Sequence, residues 1–201
     1  MSLRLIFWGI LICLVDVTLS KPVDWGSVQF DLVHDFIGML LMVYGTIHLS
    51  KIKIGGCYPK SMSFVKNVTI LGAIDALHEH FIYEFPLWVL ALRIFYFFAS
   101  LVAIIVFCVA MRYFSQKVGF SKSIKRWKTT GLLFWFIYLI PFFFFCLIFG
   151  IAILAKTSIN YTFHPFWMLV LLPVTLTPWI HGLVSLSTMK SEAQSMLRFC
   201  T

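Results

Sequence analysis

The chain has 201 residues, 61% of them hydrophobic and 12% charged, with a mean hydropathy of +0.94. Soluble domains average about 45–50% apolar and about 25% charged residues, so a water-soluble globule and a disordered chain are both excluded, and a chain dissolved in lipid fits. A net charge of +8 would suggest nucleic acid in a soluble protein, but here the basic residues fall between apolar stretches, where membrane topology explains them and no nucleic-acid partner is implied.

Six apolar stretches follow one another at roughly 4–20, 30–50, 66–83, 86–111, 130–155 and 165–188. In lipid every backbone polar group must be satisfied within the segment, so each stretch is read as a helix. The predicted fold class is therefore all-α: a polytopic integral membrane helical bundle of six transmembrane helices, forming a single domain over 1–201. The first stretch also reads as a secretory signal, with Arg4 ahead of an apolar run and the small residues Thr18 and Ser20 ahead of a cut; five spans would then remain.

Orientation comes from the basic residues. Lys51, Lys53, Lys60 and Lys66 lie in one expected loop, and Arg112, Lys117, Lys122, Lys125, Arg126 and Lys128 in another at 112–129. With Arg4, Lys190 and Arg198 they share one side, against Lys21 and Lys156 on the other, so both termini are expected in the cytoplasm and the protein in the plasma membrane. The 112–129 loop is read as topogenic. Its interleaved Phe114, Phe120 and Trp127 offer a second reading, contact with anionic inner-leaflet lipid. The five cysteines are scattered with no Cys-x-x-Cys pair, so neither a zinc ribbon nor a disulfide framework is expected.

Ionisable residues inside spans are costly and mark sites. In the second span His34 and His48 are 14 residues apart, about 21 Å along a helix and within about 40° in azimuth, with Gly38 and Gly45 on the same face. Two histidines so spaced, with glycines that let a porphyrin approach, are similar to the dihaem helices of cytochrome b-type proteins. His78, His164 and His181 would supply the partner ligands, although the 17-residue step between His164 and His181, with Pro173 and Pro178 inside it, does not match. The third span is the densest. Asp75, His78 and Glu79 fall within about 100° of arc, and Arg93, seven residues into the next span, lies at similar depth. An Arg93 ion pair to Asp75 or Glu79 would clamp two helices together. With His34, Asp35 and His164 brought in by packing, the same cluster (Asp75, His78, Glu79) would bind a transition metal such as Zn, Fe, Mn or Cu, or relay protons. No nucleophile elbow, phosphate-binding glycine loop or His-Glu-x-x-His motif occurs, so catalysis has no supporting motif.

The run His34-Asp35-Phe36-Ile37-Gly38, Tyr44-Gly45, the loop Lys51-Ile52-Lys53-Ile54-Gly55-Gly56 and Leu71-Gly72-Ala73-Ile74-Asp75-Ala76-Leu77-His78-Glu79 resembles the multi-span membrane input modules at the front of prokaryotic sensor kinases and cyclases. The resemblance covers about 50 residues and implies signalling through a separate partner, since no output domain is expected within these 201 residues. The leading expectation is a non-enzymatic membrane protein, sensory or ligand-binding or a subunit of a larger membrane complex, partnered by the lipid bilayer and by other membrane subunits. The alternatives are a metal- or haem-containing redox subunit or enzyme, and a small proton-coupled transporter with Asp75 and Glu79 as carriers.

Overall fold

A computed structural model describes residues 2–14, 18–23, 26–31, 35–81, 87–155 and 165–199. Helices α1 (Ser2–Leu14), α2 (Asp35–Ser50), α3 (Tyr58–Phe81), α4 (Leu87–Val118), α5 (Ser121–Phe134), α6 (Ile140–Leu154) and α7 (Pro165–Phe199) account for most of them. The helical expectation holds for this framework. It lacked one addition, a hairpin of β1 (Thr18–Val23) and β2 (Gly26–Asp31), paired antiparallel from Thr18–Asp31 to Val23–Gly26. The ends of the first two expected spans, 18–20 and 30–31, are strand rather than helix. β-branched and aromatic residues such as Thr18, Val23, Val28 and Phe30 favour a strand, and the hairpin satisfies backbone groups between the two helices.

Among the described residues three helical segments are long and apolar enough to cross a membrane: Ala91–Val118, Ser121–Ala152 and Val170–Met196. They mark the chain as a membrane protein. Helices α1 and α2, at 13 and 16 residues, rise only about 20 and 24 Å, less than the roughly 30 Å hydrocarbon core. Helix α6 shows the solvent for which the chain is built: Phe143, Phe144, Phe145, Leu147, Ile148, Phe149 and Ile151 are all exposed large hydrophobics. An apolar surface on this scale is stable against acyl chains, not water.

The chain divides into two compact units, Met1–Ala103 and Ile104–Thr201. In the first, α1 and α2 pack antiparallel along a glycine seam. A Cβ built on Gly38 would lie 2.8 Å from the Gly9 carbonyl oxygen, and one on Gly45 would lie 2.9 Å from the Ser2 carbonyl oxygen. Gly38 and Gly45 are seven residues apart and share one helix face, so both open the same seam to backbone approach. Gly55 and Gly56, at φ 78° and 62°, turn the chain from α2 into α3, and the Tyr58 hydroxyl donates to the Leu49 carbonyl at 3.0 Å, fastening the two ends. The expected 51–66 loop is thus only 51–57: Pro59 in the first turn starts a helix well before the apolar stretch begins.

In the second unit the 112–129 loop proves to be helix. Helix α4 continues past its apolar stretch to Val118, stops at Gly119 with φ 86°, and α5 begins two residues later. Basic and polar residues such as Arg112, Gln116 and Lys117 are good helix formers, so leaving lipid does not end a helix; a glycine that can turn left-handed does. The tail is helical for the same reason, since α7 runs to Phe199 through Lys190. A π-helical turn at Trp135–Leu139 joins α5 to α6, with the Ile140 amide donating back to Trp135. It lies directly before Pro141, which has no N–H to give to the carbonyl of Ile137, and the wider turn accommodates that gap. Buried Ser123, Trp127, Thr130 and Phe134 form one stripe of α5 and pack on α7.

Candidate functional site

The first unit holds the charged cluster. Helices α3 and α4 run antiparallel, and Arg93 Nε stands 3.8 Å from Asp75 Oδ1, both side chains partly buried. It is one of the two pairs expected from depth; the other, Arg93 to Glu79, involves a side chain outside the described part. One turn before Asp75, Gly72 leaves room for two neighbours: a Cβ there would clash with the Met39 methyl group from α2 and the Tyr96 hydroxyl from α4. Gly72 therefore lets three helices converge at the level of the pair. Cys13 closes the seam at that end, its thiol directed to the Asp35 carbonyl oxygen at 3.7 Å and beside Gly38. The arrangement gathers a carboxylate, a guanidinium, a phenol and a thiol from three helices, α3, α4 and α1. Such groups can hold a proton or a polar ligand, and none of them is set up as a nucleophile beside a base.

The remaining predicted residues divide clearly. Asp35 opens α2, within the same unit. His78 and Glu79 lie on α3 in the turn after Asp75, which the helix places on its face, while their side chains lie outside the described part of the structure. His34 and His164, both in the metal and haem sets, also lie outside the described residues. Among the described residues no group of three or more His, Cys, Asp or Glu is disposed to hold a metal ion. His48 is engaged within its own helix: its Nδ1 is 2.9 Å from the Tyr44 carbonyl and its ring lies 4.3 Å from the Tyr44 ring.

His181 belongs to a polar network in the second unit that sequence reasoning missed. Its Nδ1 is 2.8 Å from Thr130 Oγ1, which lies 2.9 Å from Ser185 Oγ and 3.0 Å from the Arg126 carbonyl. Ser185 donates to the His181 carbonyl in turn. A turn further along, Trp179 Nε1 donates to the Tyr138 hydroxyl at 3.0 Å and that hydroxyl donates to the Thr175 carbonyl at 2.6 Å. At the other end of the helix pair, Glu192 of α7 accepts from the backbone amides of Lys122 and Ser123 at 3.0 Å each and from the Ser123 hydroxyl. The first turn of α5 has amides with no partner in its own helix, and this carboxylate caps them from across the interface. The signal was present as hydroxyl and aromatic residues at 123, 127, 130 and 134, the repeat of a helix interface, but it is hidden once 112–129 is read as a loop.

Comparison with known proteins finds no matching family model, curated protein or solved structure.

Proposed function

We propose that the chain is a non-enzymatic membrane-embedded binding or sensory protein of the plasma membrane, acting with separate membrane partners, whose responding element is the polar cluster around Asp75 and Arg93. The proposed topology has six spans with both termini cytoplasmic, or five if the first stretch is removed as a signal. The short helices α1 and α2 are then the described parts of spans 1 and 2, bridged by the hairpin on the outer side.

The observation that carries this reading is the Asp75–Arg93 pair between α3 and α4. Ionised groups are expensive among apolar helices, and a pair retained there needs a compensating use. Its position supports a response: Gly72 brings Met39 and Tyr96 to the same level, so a change in protonation or occupancy at Asp75 would be felt by three helices. His78 and Glu79 follow Asp75 on α3, three and four residues further along the chain.

The test separates a clamp from a responding site. Unfolding of the full chain in detergent is followed for Asp75→Asn, Arg93→Gln and the double variant, with and without Zn²⁺ or Mn²⁺. A responding site gives wild-type stability that shifts with metal concentration and a shift that vanishes in Asp75→Asn. A coupling energy of about 1 kcal/mol between the two side chains with no such shift would reduce the pair to a clamp and overturn the sensory reading.

A further inference from the structure

A cleft of about 540 Å³ opens in the second unit between the N-terminal half of α5 and the C-terminal half of α7. From α5 it takes Lys122 and Arg126, four residues apart on one face. From α7 it takes Ser187, Thr188, Ser191 and Ser195, whose spacing of three and four also makes one face. Among the described residues neither cation is in direct ion-pair contact, and Glu192 attracts Lys122 only at longer range. The one acid in the lining, Glu192, is committed to the first turn of α5, where it receives the Lys122 and Ser123 amides and the Ser123 hydroxyl. Thr188 and Ser195 donate their hydroxyls to the Val184 and Glu192 carbonyls, so what the cleft offers is two positive groups with the hydroxyls of Ser187 and Ser191, the donor set of a phosphate site.

Its height on the helices points to the source. Along α5 and into the π-helical turn the exposed residues change from Lys122, Lys125 and Lys128 to Leu132, Trp135 and Phe136. On α7 they change in the opposite direction, from exposed Ile180 and Val184 to Ser187, Lys190 and Ser191. The Thr130–Ser185 contact fixes these two boundaries at the same level. The cleft opens on the polar side of that boundary, where lipid headgroups lie, and the basic residues put it on the cytoplasmic leaflet, which carries the anionic lipids.

We infer that this cleft binds the phosphate of an anionic lipid headgroup, with Lys122 and Arg126 as the charge partners and Ser187 and Ser191 as hydrogen-bond donors. The inference does not use the proposed role of Asp75, but its choice of leaflet rests on the proposed sidedness of the chain. It is tested by calorimetric titration of the full chain in dodecylmaltoside with dioctanoyl phosphatidic acid and, in a second arm, with inorganic phosphate. Saturable binding of the lipid is expected, weakened at least about tenfold in the Lys122→Gln/Arg126→Gln double variant and unchanged within about twofold in Lys125→Gln, which removes an exposed α5 charge outside the cleft. The charge-retaining Lys122→Arg/Arg126→Lys variant should bind within about threefold of wild type, which separates lost charge from a lost fold. Inorganic phosphate binding at equal strength with the same dependence would keep the site and move the source to a soluble phosphate. No saturable binding of either probe, or equal weakening by Lys125→Gln, would overturn the inference.

Discussion

Single residues decide how closely these helices approach. Gly38 stands against the backbone of α1, so Gly38→Ala forces a methyl group toward the Gly9 carbonyl and should lower the unfolding midpoint in mixed micelles by the equivalent of about 1–3 kcal/mol. Gly150 has open space around it, so Gly150→Ala gains helix propensity without a clash and should be neutral or stabilising by up to about 1 kcal/mol. If both variants behaved alike, the seam would not be the reason for glycine at position 38. Tyr58, ahead of the apolar part of α3, gives a second residue-scale prediction. Burial pushes its phenol up to about 12, from an ordinary value of 10. The unfolded chain then releases this proton first as pH rises, so the native state loses stability between about pH 10 and 12 and keeps it fully below 10. Tyr58→Phe should remove that alkaline component, while costing about 1 kcal/mol at neutral pH through the lost bond to Leu49. An unchanged alkaline slope in Tyr58→Phe would assign it to other groups. The Asp75–Arg93 pair was legible in the sequence because depth along two adjacent spans is set by residue count. The His34 and His164 ligand sets were not decidable in the same way, since both residues lie outside the described part and their meeting depends on packing between spans, which residue count does not fix.

At the scale of elements, the α5–α7 pair is held by an acid that caps a helix not its own. Glu192→Gln keeps the shape but replaces one acceptor oxygen with an amide nitrogen that faces the N–H groups of α5. Loss of about 1–2 kcal/mol is expected, with Ser123→Ala costing less because it removes only the hydroxyl bond. Hydrogen exchange of the Lys122 and Ser123 amides would report it directly: they should lose protection in Glu192→Gln, and retained protection would mean that the cap is not energetically real. Most helices were legible from apolar runs, yet their ends were not. Hydropathy marks where lipid stops, whereas helices stop where the backbone chemistry changes. Arg112 to Lys117 prolong α4 until Gly119 allows the turn, and Pro59 starts α3 before the apolar run. The hairpin was invisible because six-residue strands between two apolar helices have too little alternation to read against the longer signal.

For the whole molecule the governing quantity is the uneven distribution of its basic residues. Thirteen of the sixteen lysines and arginines fall on one side of the proposed topology, which places the 51–57 connection, and with it the exposed Cys57, in the cytoplasm. That position can be read with the native residue. In a variant keeping Cys57 and replacing Cys13, Cys108, Cys146 and Cys200 with serine or alanine, a membrane-impermeant maleimide should label inverted vesicles and leave intact cells unlabelled. An Asp24→Cys substitution in the same background should show the opposite pattern, since the sequence between the first two proposed spans is assigned to the outer side. Labelling of Cys57 in intact cells would reverse the orientation. The phosphate cleft would then face the leaflet poorer in anionic lipid, and the Asp75–Arg93 cluster would look into the cytoplasm, so the two proposals depend on this one asymmetry in different ways. A reversed topology leaves the cleft's donor set intact and changes only which phosphates reach it. For the Asp75 cluster it changes the compartment being sensed.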